Sequence, residues 1–321
     1  MSASFPRWLS SRPPSAAVEI TARRVTVAAV AEQGGGYVLT AHATEPLPAG
    51  AVEPGLNAPN VHDPAALTAA VKAALERITP RPRRVALVLP DSVAKLSLVR
   101  FEKVPAKAQD LDQLIHWQIR KAAPFKIEDA QVSWVAGHVI PGGGREFVVT
   151  VARRDIVESY ERACEAAGAY AGIVDLASVN LINAVLAGQP GDADAADWLL
   201  VHVALDYSTL AVVRGGDVIF FRSRAAERDD DLTDLVHQTA LYHEDRLGGG
   251  GFSRVVLAGA SSRGVEEGER LRRDLEDRVG RRIEPLDVRG VVTLRDRIAA
   301  GPELLDSLAP AVGVMLRERV A

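Results

Sequence analysis

The 321-residue sequence predicts an α/β protein of two lobes, each a mixed sheet covered by helices, with a small α+β insertion in the first. Three observations predict it. Short apolar or alternating runs of strand length recur between longer stretches with apolar residues three and four apart, and helix-covered sheets follow from that alternation. A strand hairpin opens the chain near residue 18, and the pattern begins again near residue 198. Between the two, residues 190–196 crowd Pro, Gly, Asp and Ala into the best interior boundary. The lobes are therefore drawn at 15–190 and 191–321, with the insertion at about 91–150 and a flexible Ser-, Pro- and Arg-rich tail over 1–14.

Each element has its own warrant. Residues 18–30 and 37–43 read as strands about the turn Gly34-Gly35-Gly36, followed by a loop heavy in Pro, Asn and Gly over 45–64. Residues 64–78 read as a helix, because Leu67, Val71, Ala74, Leu75 and Ile78 share one face. Pro80 and Pro82 break the chain before a buried strand at 85–89, and 93–101 alternates as another. Residues 109–122 form an amphipathic helix that Pro124 ends. Strands at 131–139 and 146–152 pair across Pro141-Gly142-Gly143-Gly144. Asp155 is placed as the cap of a helix carrying Ile156, Tyr160, Ala163, Cys164 and Ala167, which Gly168 stops. A helix over 176–186 completes the first half. The second half reads as strands at 198–205, 209–213 and 218–222, then a helix at 231–247 and a buried strand at 254–257. A turn at Gly259, a charged helix ending at Gly280, a strand at 283–288 and helical segments near Glu303 and over 310–319 finish the chain.

Composition excludes some functions. Aromatics make up 5%, so the core is built from Ala, Val, Leu and Ile. The net charge is −4 and no basic stripe with interleaved aromatics occurs, which argues against nucleic acid as a partner. Cys164, alone of its kind, falls at a helical core position and reads as a small buried hydrophobe. No apolar run approaches the ~18 residues of a membrane span, and no signal peptide opens the chain. These features predict a cytoplasmic protein with no membrane span of its own.

Several local patterns resemble catalytic motifs and fail on inspection. Around Ser261 the Gly-x-Ser-x-Gly elbow is broken by Arg263, and all seven histidines lie at or before His243, on the wrong side for that fold. The turn at Gly259 and Ser261 is better suited to hold an anion. His237 and His243 are six apart rather than three or four, so they do not share a helix face as metal ligands do. Asp229-Asp230-Asp231 reads as an acidic helix start. The polyglycine runs at Gly142 and Gly248 lack a following Gly-Lys-Ser/Thr and read as loops.

One stretch carries a family resemblance. Residues 103–135 read Lys-Val-Pro-Ala-Lys, then a helix ending Ile-His-Trp-Gln-Ile-Arg-Lys-Ala-Ala-Pro-Phe, then Ile-Glu-Asp-Ala-Gln-Val-Ser-Trp. This resembles PilM, the actin-like cytoplasmic protein of type IV pilus assembly. Residues 149–181 and the closing Leu-Ala-Pro-Ala-Val-Gly-Val-Met-Leu-Arg of 308–317 extend the likeness over nearly the whole chain. The related cytoplasmic domain of the secretion protein GspL is the nearest alternative, but it continues into a membrane helix. The resemblance implies a two-lobed actin-like fold, a duplicated RNase H-like unit, with ATP and magnesium between the lobes.

The nucleotide motifs depart from the family pattern. Its first phosphate turn, Asp-x-Gly-Ser, aligns with Glu19, Thr21 and Ala22, followed by Arg23 and Arg24. Its second Asp-x-Gly aligns with His202-Val203-Ala204, followed by Leu205, Asp206, Tyr207 and Ser208. The adenosine turn aligns with Ala258-Gly259-Ala260-Ser261-Ser262, where Gly259 alone is kept. A Thr in place of Gly reaches positive φ only at a cost, and His202 is a poor ligand for a hard cation. The expectation is a scaffold without a catalytic residue or bound metal. An ATP-binding switch with slow or absent turnover is the alternative, and a phosphotransferase is disfavoured because positioned charge does nearly all its work.

The resemblance also implies a partner. PilM-like proteins bind the short cytoplasmic tail of PilN, an inner-membrane protein, between the inserted subdomain and the first lobe. Trp117, Pro124, Phe125 and Trp134 are the candidate contacts, although the plainest expectation for Trp117 is the local core. Extended peptides bind by docking apolar anchors and adding backbone hydrogen bonds. Self-association is a further expected interaction.

Overall fold

Strand β1 (Ala16–Ile20) is buried at all five positions, so it must lie inside a sheet covered on both faces. The computed structural model describes residues 13–140, 142–188, 196–226, 229–295, 298 and 300–317. The tail over 1–12, most of the boundary at 190–196 and the end of the last expected helix lie outside the described residues.

The strand expected over 18–30 is broken in two. Thr21 to Arg23 turn the chain from β1 into β2 (Arg24–Gln33), which runs antiparallel to β1 with Val18 opposite Val27. Gly34 and Gly35, both at positive φ, turn it again into β3 (Gly36–Pro46). Helix α1 (Pro64–Glu76) starts at Asp63, whose side chain accepts from the Ala66 amide at 2.9 Å, with Pro64 in the first turn where no amide is needed. Its buried face is the expected one, including Leu67, Val71, Ala74 and Leu75. Each such side chain contributes roughly 1.5–3 kcal/mol by leaving water. Strand β4 (Arg84–Leu89) then runs parallel to β1.

The insertion follows as β5 (Ala94–Phe101), α2 (Ala108–Arg120), β6 (Ala130–Val139) and β7 (Arg145–Arg153). They make an antiparallel sheet in the order β5-β7-β6, and α2 buries Leu111, Ile115 and Ile119 against it. Helix α3 (Arg154–Ala166) begins one residue before Asp155, so Asp155 is not its cap. Its carboxylate instead bonds the Arg153 guanidinium and the Ile156 amide. Strand β8 (Tyr170–Leu176) lies beside β4 where no strand was expected, and α4 (Ala177–Ala187) follows it.

The second half contains β9 (Trp198–Val203), β10 (Tyr207–Arg214), β11 (Asp217–Ala225), α5 (Asp229–Leu247) and β12 (Arg254–Ala258). A 3-10 turn at Ala260–Arg263 leads into α6 (Val265–Val279), which Gly280 ends in the left-handed conformation. The strand expected at 283–288 shortens to β13 (Ile283–Pro285). These strands form a sheet in the order β11-β10-β9-β12-β13.

The chain then crosses back. Strand β14 (Val292–Leu294) pairs parallel with β3, completing the sheet β14-β3-β2-β1-β4-β8. Helix α7 (Pro302–Leu316) passes through Pro310 unbroken, where two segments were expected, and packs on α4 and the first sheet. At Gly313 it touches the Asn180 backbone so closely that any Cβ would overlap the carbonyl. One core cluster joins the halves, with Leu181 of α4 and Leu308 and Val312 of α7 beside Leu200 and Val256 of the second sheet.

Candidate functional site

The two hairpin turns face each other across a cleft. Its walls include Glu19, Thr21, Ala22, Arg23 and Arg24 from the first half, and His202, Asp206, Tyr207, Gly259, Ser261 and Ser262 from the second. Asp306, Ser307 and Pro310 of α7 close it from the side. Of the cofactor residues expected from sequence, Ser208 and Ala260 do not line the cleft. Ser208 sits next to Tyr207 in β10, so it points to the opposite sheet face. Ala260 lines a neighbouring groove.

The space between the walls is about 80 Å³, against about 300–1,000 Å³ for ordinary small-molecule sites. Several polar groups around it are bonded to one another, while buried atoms of Glu19, Arg24, Asp206 and Ser262 have no hydrogen-bond partner among the described residues. In the first turn the amides of Arg23 and Arg24 donate to Thr21 Oγ1 at 3.4 and 3.2 Å, and Thr21 Oγ1 donates to the Arg24 carbonyl at 3.1 Å. This small hydroxyl-centred turn is built by the Thr21 side chain. In the third turn the carboxylate of Asp306 takes the Gly259 amide at 2.6 Å, the Ser261 amide at 3.0 Å and the Ser261 hydroxyl at 2.5 Å.

A second carboxylate lies behind the cleft wall at His202 and does not itself line the cleft. Asp91, fully buried after β4, accepts from the Ser178 amide at 3.0 Å, the Ser178 hydroxyl and the Thr209 hydroxyl at 2.6 Å. His202, 6% exposed, lies 2.8 Å from Ser178 Oγ and 3.6 Å from Asp91, and Tyr207 meets its ring edge-on. Burial pushes the Asp91 carboxyl up. The hydrogen bonds and charge around it, His202 first, outweigh that and hold it below the ordinary carboxylate range. This is not a nucleophilic triad, because the serine lies between the carboxylate and the imidazole, whereas a triad places the imidazole in the middle.

Glu19 behaves differently. It is 6% exposed and its Oε2 has no hydrogen-bond partner among the described residues. Burial raises its pKa more than Arg24 and His202 lower it. Asp206 is also raised, chiefly by burial.

Sequence reasoning missed Asp91 and Asp306. Asp91 had one usable signal, a Leu-Pro-Asp sequence just past a buried strand, the strand end where α/β ligands gather. Asp306 had none beyond its helix.

The second candidate region is the insertion. Trp117 is 57% exposed on α2, with the Lys121 ammonium 4.8 Å above its ring. The core position expected for it is therefore incorrect: Ile115 and Ile119 face the sheet, and the neighbouring turn of the helix carries Trp117 outward. Pro124 is exposed as well. Phe125 and Trp134 are half-buried against the local core, and Trp134 Nε1 donates to Asp112 at 3.0 Å. On β6, an edge strand, Val135 and Val139 are exposed. The insertion touches the second half where β11 packs on β5 and β6, with His138 3.6 Å from Asp217.

Three other features are structural. His243 is buried, bonded to Asp197 and stacked on Phe252 at 4.5 Å, so it serves the core of the second half. Cys164 is buried and its thiol is pushed up to about 12 by burial, which makes it unreactive. No helix among the described residues is long and apolar enough to cross a membrane.

Residues 17–239 match the family model described as type IV pilus assembly protein PilM. A solved structure described as a PilM-PilN type IV pilus biogenesis complex aligns with a TM-score of 0.78 and 20% identity, covering 97% of this chain and 100% of that one. A protein of unknown function with an actin-like ATPase fold from Bacteroides thetaiotaomicron aligns at 0.51 and 10% identity, over 90% of this chain and 96% of that one. The ethanolamine utilization protein EutJ from Carboxydothermus hydrogenoformans aligns at 0.51 and 10%, over 96% and 90%. No curated protein matches the chain. The fold is actin-like, and the chain belongs to the PilM family of type IV pilus assembly proteins.

Proposed function

We propose that this chain is an adaptor of a type IV pilus or related secretion platform: it holds the cytoplasmic tail of a PilN-like inner-membrane protein and keeps its actin-like body as a shape. It works on the cytoplasmic side, peripheral to the inner membrane through that partner. The observation that carries the reading is the alignment, end to end, with the PilM of a PilM-PilN complex. The exposed Trp117 and Pro124, and the unpaired edge of β6 with Val135 and Val139, supply the apolar anchors and backbone groups that an extended peptide uses.

The cleft's chemistry supports the scaffold reading over the switch. A magnesium nucleotide needs amides turned toward phosphate and ionised oxygens on a hard cation. Here Thr21 and Asp306 already take amides of two turns, the space is about 80 Å³, and the Glu19 carboxyl is pushed toward its neutral form by burial. These groups do not fit the magnesium nucleotide.

The test is calorimetry with a synthetic peptide of the partner's cytoplasmic N-terminus. Saturable binding is expected, weakened at least about tenfold, or 1.4 kcal/mol, by Trp117→Ala. A folded protein that ignores the peptide removes the adaptor reading. Binding that Trp117→Ala leaves untouched removes this groove.

A further inference from the structure

Asp306 lies on α7, which is packed on α4 and on β1, β2 and β4 of the first half. The turn it bonds follows β12 of the second half. Its carboxylate therefore spans the two halves with three hydrogen bonds, all of 3.0 Å or less, to one short turn. Nearby amides converging on one acceptor group are the arrangement that binds oxyanions. The turn is shaped for that purpose. Gly259 holds a φ of +79°, and a Cβ there would overlap the Val203 carbonyl, so its amide is presented at a position no other residue can occupy without moving the hairpin.

We propose that the turn 259–261 is an oxyanion site whose resident occupant is the chain's own Asp306, and that this internal carboxylate takes the place of a bound phosphoryl group in tying the two halves together. The inference rests on reading the cleft as free of nucleotide.

The surroundings give the site its ligand class. Asp306 and Ser261 line both the cleft of about 80 Å³ and a groove of about 220 Å³ beside α6. Shortening the side chain at 306 frees two amides and a hydroxyl and opens one space into the other. Ser262 Oγ, buried and without a hydrogen-bond partner among the described residues, adds a donor. Arg23 and Arg24 on the facing wall add positive charge. Glu19 and Asp206 also line the cleft and oppose an anion only in their ionised forms, which burial disfavours. In the groove beside α6, Glu269 and Asp287 are paired with Arg272 and Arg289, and Glu303 stands at its wall. A phosphoryl oxyanion fits this donor set.

The experiment compares full-length wild type with Asp306→Ala in magnesium-free buffer, titrating inorganic phosphate and, separately, ADP. Melting temperature and amide exchange at Gly259 and Ser261 are read. Wild type is expected to show protected amides and no shift. The variant is expected to lose that protection, and phosphate should restore it with a saturable rise in melting temperature. A larger rise with ADP supports the same site extended into the groove beside α6. Asp306→Ser, which also withdraws the carboxylate from the turn, serves if the alanine variant does not fold. A folded variant with exposed amides and no response to either anion overturns the proposal, as does a wild type that responds as strongly as the variant. A magnesium-dependent ATP response of wild type bears instead on the adaptor reading, and these magnesium-free arms do not depend on it.

Discussion

Two buried carboxylates, Glu19 in the cleft wall and Asp91 behind His202, have opposite effects on stability. Asp91 satisfies an amide and two hydroxyls from α4 and β10, so Asp91→Ala strands three donors and is expected to cost about 3 kcal/mol or more in urea unfolding. Its pKa is depressed on folding. Its contribution is therefore complete above the unfolded value near 3.8 and is lost as pH falls through the lower folded value. Glu19 is raised, so the folded state binds its proton more tightly and stability falls as pH rises from the ordinary value of 4.5 through the folded one. Glu19→Gln should accordingly be more stable than wild type at pH 7, with the difference closing as pH drops below 4.5. A pH series of denaturant midpoints checks both signs. The altered turns were legible residue by residue, because Glu19, Thr21 and His202 stand in local motifs. Asp91 and Asp306 were not, since their partners lie 87, 118 and 45 positions away, and no spacing rule reaches that far.

At the scale of elements, sequence pattern located six of the seven helices of the described residues, apart from their exact ends, and divided α7 in two. It failed where strands are short or mixed. In β8, Tyr170 and Asp175 interrupt the apolar run, and β14 has three residues, too few to show a period. Pro310 was read as a break, yet α7 tolerates it because packing on α4 and the first sheet holds the helix on both sides of the lost hydrogen bond. The same packing makes Gly313 indispensable. Gly313→Ala forces a Cβ into the Asn180 carbonyl and is expected to destabilise by about 1–3 kcal/mol, the usual range for overpacking, or to prevent folding. Circular dichroism melts measure it. An unchanged melting temperature would show that α4 and α7 do not cross as described.

For the whole molecule, the actin-like frame brings two surfaces under separate control. The cleft leaves about 80 Å³ between the chain's own side chains, while the insertion presents exposed apolar groups on the separate sheet β5-β7-β6. Trp117→Ala should therefore change stability by no more than about 0.5 kcal/mol, as exposed substitutions do, while weakening peptide binding. A large loss of stability would place Trp117 in the core after all. The two-lobed pattern and the insertion were visible in sequence because each is local and periodic. The return of β14 and α7 to the first sheet was not, because chain order alone does not say which sheet a late strand joins. A cleft that serves as a structural joint has no use for nucleotide, and a thermal-shift titration of wild type with ATP and magnesium decides the point. No shift at millimolar ATP is predicted, with the peptide still bound. A magnesium-dependent stabilisation approaching the ~2.7 kcal/mol of a ligand at one hundred times its dissociation constant would contradict it and make the cleft a working nucleotide switch.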